Sequence, residues 1–320
     1  MQSDPIRKIS VVLPAYNEKE SLPILAEELK AVAVKLPQLE MEFLLVDDGS
    51  TDGSPEIISA LCREDRRFKG IVFKRNFGQT AAMSCGIKLA TGDVIIPMDA
   101  DLQNDPADIT LFLEKIREGY SCVSGWRKDR KDEFLTRKIP SWMANALISW
   151  LTGVALHDYG CSLKAYRREI IQDIELYGEM HRFIPAYAAW SGARVTEIII
   201  NHRARRFGKS KYGLSRVFKV LLDLLVVKFL TGYFNKPMHF FGALGFVSLG
   251  IGFLAELAAV VLRFYGIHLV QTPLPTVGAM FVVVGVQFIL FGLIAEVLMR
   301  TYYESKGSRA YVIREKINLP

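Results

Sequence analysis

The sequence lacks the short motifs that mark several common enzyme classes. None of its four cysteines forms a C-x-x-C pair, and its five scattered histidines belong to no recognisable Ser-His-Asp arrangement. The glycine spacings G-x-G-x-x-G and G-K-[ST] are also absent, which argues against a dinucleotide site or a P-loop. We therefore expect reduced, mostly buried thiols, and we expect any bound phosphate to be held by a metal ion or by basic side chains.

No basic segment followed by an apolar run opens the chain, so we expect the N-terminal domain not to be exported. Long apolar runs occur later, because residues 240–262 and 277–299 each carry a single charge. At about 1.5 Å per residue, either run is long enough to cross a hydrocarbon core of about 30 Å. Together with 50% hydrophobic and 23% charged residues, the runs predict a soluble part followed by a membrane part. A purely soluble protein and a disordered chain are both excluded.

Positive charge is concentrated just before the first apolar run. Residues 203–236 contain nine Lys or Arg side chains and one acidic side chain. At this position, anionic lipid headgroups or lipid phosphates are nearer partners than nucleic acid, so we expect membrane lipids and no nucleic acid. Within this stretch, residues 214–230 have a narrow polar stripe, which favours an amphipathic helix at the membrane surface over an ordinary packed helix.

The basic residues also predict an orientation in the membrane. Five of them occur from Arg300 onward, whereas the loop between the two runs offers only Arg263 and His268. By the positive-inside rule, the catalytic domain and both termini are expected to face the cytoplasm.

Small residues recur at helical spacing in both apolar runs. They are Gly245, Ser248, Gly252, Ala255 and Ala259 in the first run and Gly278, Gly285 and Gly292 in the second. Such faces permit close helix contact, and we expect a homo-oligomer formed through them. Glu256 and Glu296 each follow a glycine of this set by four residues, so both are expected to face protein and not lipid.

Up to about residue 202, short β-branched apolar runs alternate with amphipathic stretches, which predicts an α/β fold of parallel βαβ units. The predicted strands are residues 9–14, 43–48, 70–75, 93–99 and 121–125, and the predicted helices are residues 19–35, 55–67, 79–90 and 107–118. Ligands of such a sheet bind at the carboxyl ends of its strands, where the unusual polar residues of this sequence also lie.

Asp99 and Asp101 are the strongest local signal for chemistry. They flank Ala100 directly after an apolar strand, and alternation along an extended segment sends both carboxylates to the same side. Two carboxylates so placed suit a hard divalent cation, Mg²⁺ or Mn²⁺, which takes its other ligands from water and substrate phosphates. A nucleotide-sugar site is therefore favoured over an ATPase or a dehydrogenase.

Six segments, in order, resemble the family 2 glycosyltransferases, and among these the polyprenyl-phosphate glycosyltransferases, which include dolichol-phosphate mannose synthase and bactoprenol glucosyltransferase. They are LPAYNEKESL (13–22), VDDGSTDG (46–53), KRNFGQTAA (74–82), ATGDVIIPMDADLQNDP (90–106), DYGCSLKAYRRE (158–169) and RRFGKSKYG (205–213). The resemblance implies a GT-A Rossmann-like domain and inverting transfer of a hexose from a nucleotide sugar to polyprenyl (undecaprenyl) phosphate. It also implies a bacterial inner membrane location and a role in cell-envelope glycosylation.

The resemblance also assigns roles to individual residues. The residues implied for the nucleotide sugar are Pro14, Tyr16, Glu18, Asp47, Asp48, Arg75, Asp99 and Gln103. Those implied for the metal are Asp99, Asp101 and Gln103, and those implied for donor or acceptor phosphates are Arg127, Arg205, Ser210 and Lys211.

Asp158 occupies the family's proposed catalytic position, together with Asp101 at the metal. Because the second pKa of a phosphate monoester is near 6, the attacking oxygen is already largely anionic at pH 7. We therefore expect Asp158 to orient the acceptor or stabilise developing positive charge, and not to act as a strong base. His157 is an alternative base.

The sugar best matching the resembled branch is glucose from UDP-glucose, and mannose from GDP-mannose, another UDP-hexose and a modified pentose are alternatives. A processive polysaccharide synthase is a second enzymatic interpretation, but its Q-x-x-R-W motif is absent. A non-catalytic membrane scaffold is an interpretation from another class, against which the intact Asp99 and Asp101 argue. The predicted domains are residues 1–202 (catalytic), 203–236 (juxtamembrane), 237–300 (transmembrane hairpin) and 301–320 (cytoplasmic tail).

Overall fold

A computed structural model of the chain describes residues 5–128, 145, 148–149, 152–172, 174, 180–204, 237–304 and 311–319. The chain divides into two compact units. The first unit comprises Met1–Val227 together with Arg309–Pro320, and the second comprises Lys228–Ser308. The predicted amphipathic helix at 214–230 lies outside the described residues, and the predicted domain boundaries stay a prediction.

The first unit is built on one eight-stranded mixed sheet with the order β7-β5-β6-β4-β1-β2-β3-β8. The strands are β1 (Lys8–Ala15), β2 (Glu40–Asp47), β3 (Phe68–Phe73), β4 (Val94–Pro97), β5 (Cys122–Trp126), β6 (Lys164–Arg167), β7 (Val195–Ile199) and β8 (Ile313–Ile317). Strands β4, β1, β2 and β3 are mutually parallel, and their apolar residues form the buried centre of the unit. The predicted α/β, Rossmann-like class is confirmed.

Helices α1 (Ser21–Lys35), α2 (Ser54–Glu64), α3 (Gln79–Leu89) and α4 (Ile109–Arg117) lie where the amphipathic stretches predict them. Two short helices, α5 (Arg168–Ile171) and α6 (Ile184–Trp190), are not among those predicted. Helix α1, for example, buries Leu22, Leu25 and Leu29 on one face, at the spacing of an amphipathic helix. All four cysteines are free and buried, as expected.

Two antiparallel strands depart from a purely parallel sheet. Strand β6 runs antiparallel to β4 and β5, and strand β8 runs antiparallel to β3. Neither strand is among those predicted, because β6 (KAYR) and β8 (IREKI) have no long apolar run. Residues 313–317, predicted to be part of a tail, therefore form the edge of the sheet.

The second unit is a hairpin of two long helices, α7 (Pro237–Phe264) and α8 (Leu274–Glu304). Both contain a segment long and apolar enough to cross a membrane, Phe240–Phe264 and Leu274–Ala295. These segments agree with the predicted spans at 240–262 and 277–299. Most of their side chains are exposed in the isolated chain, which is the expected state for surfaces that face lipid.

Glycines form the contact between α7 and α8. A Cβ atom at Gly245 would lie 2.9 Å from the carbonyl oxygen of Gly285, and one at Gly252 would lie 2.9 Å from that of Gly278. The hydroxyl of Ser248 also donates a 2.8 Å hydrogen bond to the carbonyl of Phe281. The predicted small-residue faces thus pack against each other within one chain. A homo-oligomer through them stays a prediction.

The carboxylate of Glu256 lies against Gly278. A Cβ atom added to Gly278 would be 2.5 Å from Oε1 of Glu256. The expectation that Glu256 faces protein is therefore met within the hairpin. The side chain of Glu296 lies outside the described residues.

Candidate active site

The loops at the carboxyl ends of β1 and β2 are joined by hydrogen bonds. The backbone N–H of Asn17 donates to the Ser50 hydroxyl at 2.8 Å, and the N–H of Thr51 donates to the Asn17 side chain at 3.0 Å. Asn17 has a φ of 55°, in the left-handed region that Asn tolerates better than most residues. This turn leaves Tyr16 and Glu18 half-buried beside the strand end.

Asp47, the last residue of β2, is a completely buried carboxylate. Its Oδ2 accepts hydrogen bonds from the N–H groups of Gly49 and Ser50, whereas Oδ1 is buried without a partner in the part of the chain that the structure describes. Burial raises the pKa of Asp47, although hydrogen bonds from Ser50 and Gly49 oppose this shift. A buried acceptor with spare capacity suits a ligand that donates a hydrogen bond, such as a nucleotide base or ribose.

Asp48 fastens the next loop to the same edge. Its carboxylate accepts hydrogen bonds from the N–H groups of Phe77 at 2.7 Å and Gly78 at 3.0 Å. Gly49 permits this approach, because a Cβ atom there would lie 2.3 Å from the backbone carbon of Arg75 and because its φ is +72°. The guanidinium of Arg75 lies 4.5 Å from the centroid of the Phe77 ring.

The two acids after β4 are held by side-chain and backbone donors. Gln79 Nε2 donates to Asp99 Oδ1 at 2.6 Å, and the N–H of Gln103 donates to Asp101 Oδ1 at 3.1 Å. Asp101 is buried and Asp99 is half-buried. Leu102, which separates Asp101 from Gln103, has a φ of 63°, so the chain turns sharply after Asp101.

The donor set suits a divalent cation only in part. Within the described ranges, no group of three or more His, Cys, Asp or Glu side chains is placed to hold a metal ion. Asp99 and Asp101 provide hard carboxylate oxygens, and Gln103 adds an amide oxygen on a half-buried side chain. These residues fit a cation such as Mg²⁺ that completes its shell with water and substrate phosphate, and they do not fit a dedicated protein cage.

Arg127 and Asp158 form a buried ion pair with two parallel hydrogen bonds. Arg127 Nε donates to Asp158 Oδ2 at 2.7 Å, and Arg127 Nη2 donates to Asp158 Oδ1 at 3.0 Å. Burial lowers the pKa of Arg127, but the hydrogen bonds and charge of Asp158 outweigh it and raise the pKa overall. Asp99 contributes to the same shift, so the carboxylate after β4 lies near this pair.

The buried side chain of Lys164 donates hydrogen bonds to the backbone of the loop from Asp158 to Cys161. Lys164 Nζ donates to the carbonyl groups of Tyr159 at 3.2 Å and Cys161 at 2.5 Å. Burial lowers the pKa of Lys164, and the nearby Cys161 and Asp158 oppose this effect. The lysine thus satisfies carbonyl groups that would otherwise face the protein interior.

A second guanidinium group approaches this loop at Gly160. A Cβ atom at Gly160 would lie 3.3 Å from Arg127 Nη2 and 3.6 Å from Arg182 Nη1. Oδ1 of Asp158 lies 3.5 Å from the same Cβ position, so an anionic ligand such as phosphate bound here would meet two guanidinium groups and one carboxylate.

His157 is oriented differently from its neighbour Asp158. Its ring stacks on Trp126 at 4.2 Å, Nδ1 pairs with Glu197, and the side chain is 64% exposed. The ring contacts of His157 are with Trp126 on β5 and Glu197 on β7, and Asp158 is the residue that pairs with Arg127.

The start of the basic stretch is attached to the loop of Asp101. The N–H of Arg203 donates to the carbonyl of Gln103 at 2.9 Å, and the Arg203 side chain pairs with Glu28 and Asp105. Arg205, Ser210 and Lys211 themselves lie outside the described residues.

The predicted site residues that the structure describes lie at the carboxyl ends of the sheet strands and in the loops that follow them, with one qualification. Pro14 is buried inside β1 opposite Val46, so it contributes to the strand more than to a surface. Sequence reasoning named Arg127 but missed its pairing with Asp158, and it also missed Gln79, Lys164 and Arg182. Gln79 lies within KRNFGQTAA, at the start of α3, which is the signal that a closer reading of that motif would have used.

Comparison with known proteins assigns the class to which this fold and site belong. The family described as "Glycosyl transferase family 2" matches residues 10–175. In fold, the chain is similar to glucosyl-3-phosphoglycerate synthase of Mycobacterium tuberculosis, with a TM-score of 0.52, 18% identity and coverage of 71% of this chain and 79% of that one. The unit is therefore a GT-A glycosyltransferase domain, and the chain belongs to glycosyl transferase family 2.

Two groups of curated relatives match along almost the whole length. Dodecaprenyl-phosphate galacturonate synthase of Rhizobium johnstonii is 45% identical, over 98% of this chain and 94% of that protein. Undecaprenyl-phosphate 4-deoxy-4-formamido-L-arabinose transferase of Yersinia enterocolitica is 37% identical, over 99% of this chain and 95% of that protein. Both names describe sugar transfer to a polyprenyl phosphate, so the predicted resemblance is confirmed.

Proposed function

We propose that the protein transfers galacturonate, or a closely related acidic hexose, from a nucleotide diphosphate to a polyprenyl phosphate. The observation that carries this proposal is the 45% identity, over 98% of the chain, to dodecaprenyl-phosphate galacturonate synthase. Glucose, which the sequence analysis favours, is named by neither group of full-length relatives. The glucosyl enzyme of M. tuberculosis shares only 18% identity, which supports the fold and not the sugar.

A second candidate sugar is 4-deoxy-4-formamido-L-arabinose. It is favoured by relatives that are 36–37% identical over 98–99% of this chain. The two candidates differ in charge, because galacturonate is anionic and the formamido sugar is neutral. Arg182 lies beside Gly160, and its guanidinium would favour binding of the anionic galacturonate over the neutral formamido sugar.

A divalent cation, Mg²⁺ or Mn²⁺, fits the proposed activity. Asp99 and Asp101, with Gln103, are the residues that would hold it. Mn²⁺ and UDP are bound together in the M. tuberculosis protein of the same fold. When bound, such a cation neutralises negative charge on a departing diphosphate.

Arg127 would bind the acceptor phosphate in this reaction, and Asp158 would hold the Arg127 guanidinium in place. The anomeric carbon–oxygen bond to the diphosphate breaks, the diphosphate leaves with the electron pair, and an oxygen of the lipid phosphate forms the new bond from the opposite face of the sugar. That oxygen is largely ionised at pH 7, so the reaction needs little proton removal. Because both carboxylate oxygens of Asp158 already accept hydrogen bonds from Arg127, we assign Asp158 to holding the guanidinium toward the phosphate and not to removing a proton.

The hairpin would anchor the domain where its lipid acceptor resides. Strand β8 follows the hairpin in sequence and pairs with β3, which precedes it, so the segments on both sides of the hairpin belong to one folded unit. A chain that crosses the membrane twice must return to the starting side, and this requirement supports placing both termini with the catalytic domain. The cytoplasmic face of a bacterial inner membrane agrees with the positive charge before the first span.

A donor panel tests the proposal. Purified full-length protein is mixed with undecaprenyl phosphate, Mn²⁺ and one radiolabelled donor at a time, and labelled lipid is extracted. The donors are UDP-galacturonic acid, UDP-glucose, UDP-4-deoxy-4-formamido-L-arabinose and GDP-mannose. We expect UDP-galacturonic acid to give the highest kcat/KM and Asp101→Asn to lower kcat/KM about 10²–10³-fold.

Preference for another donor would overturn the sugar assignment and leave the reaction class intact. Absence of transfer from every donor would favour the non-catalytic scaffold. Omitting undecaprenyl phosphate is the control for hydrolysis of the donor.

A further inference from the structure

The loop from β3 to α3 is fixed on the side that faces the proposed donor site. We call residues 74–79 the donor loop. The carboxylate of Asp48 accepts from the N–H groups of Phe77 and Gly78, and Gln79 donates to Asp99. The loop therefore links the acid at the end of β2 to the acid after β4.

The other side of the donor loop is supported by residues that follow the hairpin. Val312 accepts a 3.1 Å hydrogen bond from the N–H of Lys74, the first residue of the loop. Tyr311 is 93% buried (7% exposed), and its ring is stacked on Phe73 at 5.1 Å with an interplanar angle of 12°. Phe73 in turn meets the edge of Phe77 at 5.8 Å.

These contacts form a continuous path from the C-terminal segment to the donor site. It runs from Tyr311 through Phe73 to Phe77, whose N–H binds Asp48. Stacked and edge-on aromatic pairs contribute about 0.5–1.5 kcal/mol each beyond the area they bury, so the path is strong enough to fix one loop conformation. The register of β3 and β8 shifts between Val72 and Phe73, directly where Tyr311 packs.

We propose that Tyr311 is a positioning residue for the nucleotide sugar, and that the segment after the second apolar helix is a structural part of the donor site. This inference rests on the proposed function, because it takes the ligand of the donor loop to be a nucleotide sugar. In this proposal, Tyr311 acts through Phe73 and Phe77 on the loop that carries Arg75.

The attachment of β8 is well suited to this role. The side-chain amide of Asn318 donates to the carbonyl groups of Cys62 at 2.6 Å and Phe68 at 3.0 Å, so the far end of β8 is anchored at the start of β3. Ile317 packs against Gly70, where a Cβ atom would lie 3.2 Å from its side chain. With the distal end fixed, Tyr311 is held at the end of β3 that carries the donor loop.

The test compares Tyr311→Ala with Tyr311→Phe in the full-length protein in lipid nanodiscs. Val312→Ala is the matched control, because Val312 is adjacent and its side chain is 48% exposed, while its backbone contact to Lys74 is kept. Two quantities are measured: the affinity for UDP with Mn²⁺ by titration calorimetry, and the KM values for the preferred nucleotide sugar and for undecaprenyl phosphate.

We expect Tyr311→Ala to weaken UDP binding and raise the donor KM about tenfold, equivalent to about 1.4 kcal/mol, with the acceptor KM within about twofold. Tyr311→Phe keeps the stacked ring and should stay within about threefold of wild type, as should Val312→Ala. A role in stability alone would lower the amount of folded protein and the apparent kcat but leave both KM values and the UDP affinity unchanged, and that result would overturn the inference.

A variant that retains bulk guards against failure to fold. If Tyr311→Ala yields no folded protein, Tyr311→Leu takes its place in the test. Leucine fills most of the same space without a planar ring, so we expect this variant to fold and to raise the donor KM. An unchanged donor KM for Tyr311→Leu contradicts the role of the aromatic path. If wild type transfers no sugar from any donor yet Tyr311→Ala still weakens UDP binding, the proposed function fails and the positioning role stands.

Discussion

The two ends of the central sheet use acidic side chains in opposite ways. At the amino end, Glu42 on β2 is 2% exposed, and its carboxylate accepts hydrogen bonds from Ser10, Thr91 and Lys69. At the carboxyl end of the same strand, Asp47 is equally buried but keeps one oxygen without a partner among the described residues. The first carboxylate has its bonding capacity filled by its own chain, whereas the second retains capacity for a ligand.

The pKa values follow this difference. Burial alone would raise the pKa of Glu42, but hydrogen bonds from Lys69, Ser10 and Thr91 lower it to about 2, from 4.5. The pKa of Asp47 is raised by burial, which its backbone hydrogen bonds do not offset. A buried acid that is fully paired therefore indicates a stabilising role, and one that is incompletely paired indicates a binding role. The predictions below test that distinction.

The largest effect is expected at the carboxyl end for Asp101→Asn. The change removes one charge from the pair that would hold a divalent cation, so we expect kcat/KM to fall about 10²–10³-fold, the scale for loss of one group that stabilises developing charge. The measurement is transfer to undecaprenyl phosphate across a titration of Mn²⁺ or Mg²⁺, with circular dichroism to verify folding. Near wild-type turnover at limiting metal would disprove the metal assignment.

Asp158→Asn should reduce the single-turnover rate about a hundredfold, because the Arg127 guanidinium loses the carboxylate that orients it toward the acceptor; a hundredfold corresponds to about 2.7 kcal/mol of activation free energy. If Asp158 only holds Arg127, the loss is the same from pH 5.5 to 8.5. If Asp158 removes the acceptor's proton, activity recovers near pH 8, where the phosphate is already dianionic. His157→Gln is the control, and we expect it to change the rate less than about threefold, since His157 pairs with Glu197.

Glu42→Gln tests the amino end, where we expect lower stability and unchanged catalysis. The shift from 4.5 to about 2 corresponds to about 3 kcal/mol of unfolding free energy at pH 7. Because the pKa is lower in the folded state, this contribution is present above pH 4.5 and is lost as the pH falls toward 2. Urea unfolding of both proteins at pH 7 and pH 3 should show the difference narrowing, while kcat per folded molecule at pH 7 is the same.

The smallest effect is expected from thiol chemistry beside the active site. Cys161 lies in the same loop as Asp158, but burial raises its pKa to about 11, so almost no thiolate exists at pH 7. Iodoacetamide treatment of the folded enzyme should leave at least about 90% of the activity, since unreactive buried thiols are the norm. Rapid inactivation, with Cys161 carrying the label, would instead show that this loop opens to solvent.

Sequence reasoning located the parallel centre of the sheet well because its strands are continuous apolar runs. Residues 9–14 and 43–48 correspond to β1 and β2, and the acids were placed correctly at their carboxyl ends. Strand β6 was missed because its Lys164 and Arg167 are buried polar residues, which local patterns assign to a surface.

Within the candidate site, Arg127 and Asp158 were named from the sequence, but their pairing was not. Arg127 and Asp158 are 31 residues apart and on different elements, so nothing in local spacing reveals their two hydrogen bonds. The contact of Gln79 with Asp99 is hidden for the same reason. Such pairings depend on the strand order of the sheet, which the sequence pattern alone does not determine.

Strand β8 also has a consequence for the order in which the protein matures. A ribosome releases the residues of β3 long before those of β8, and both apolar helices are synthesised between them. Until residue 317 has emerged, the outer edge of β3 offers unpaired N–H and C=O groups, which neighbouring chains are able to extend into a shared sheet. We therefore expect that a catalytic fragment ending before the hairpin aggregates through this edge, and that membrane insertion precedes completion of the catalytic domain. We also expect full activity to depend on correct insertion of the hairpin, because β8 follows the hairpin in the chain.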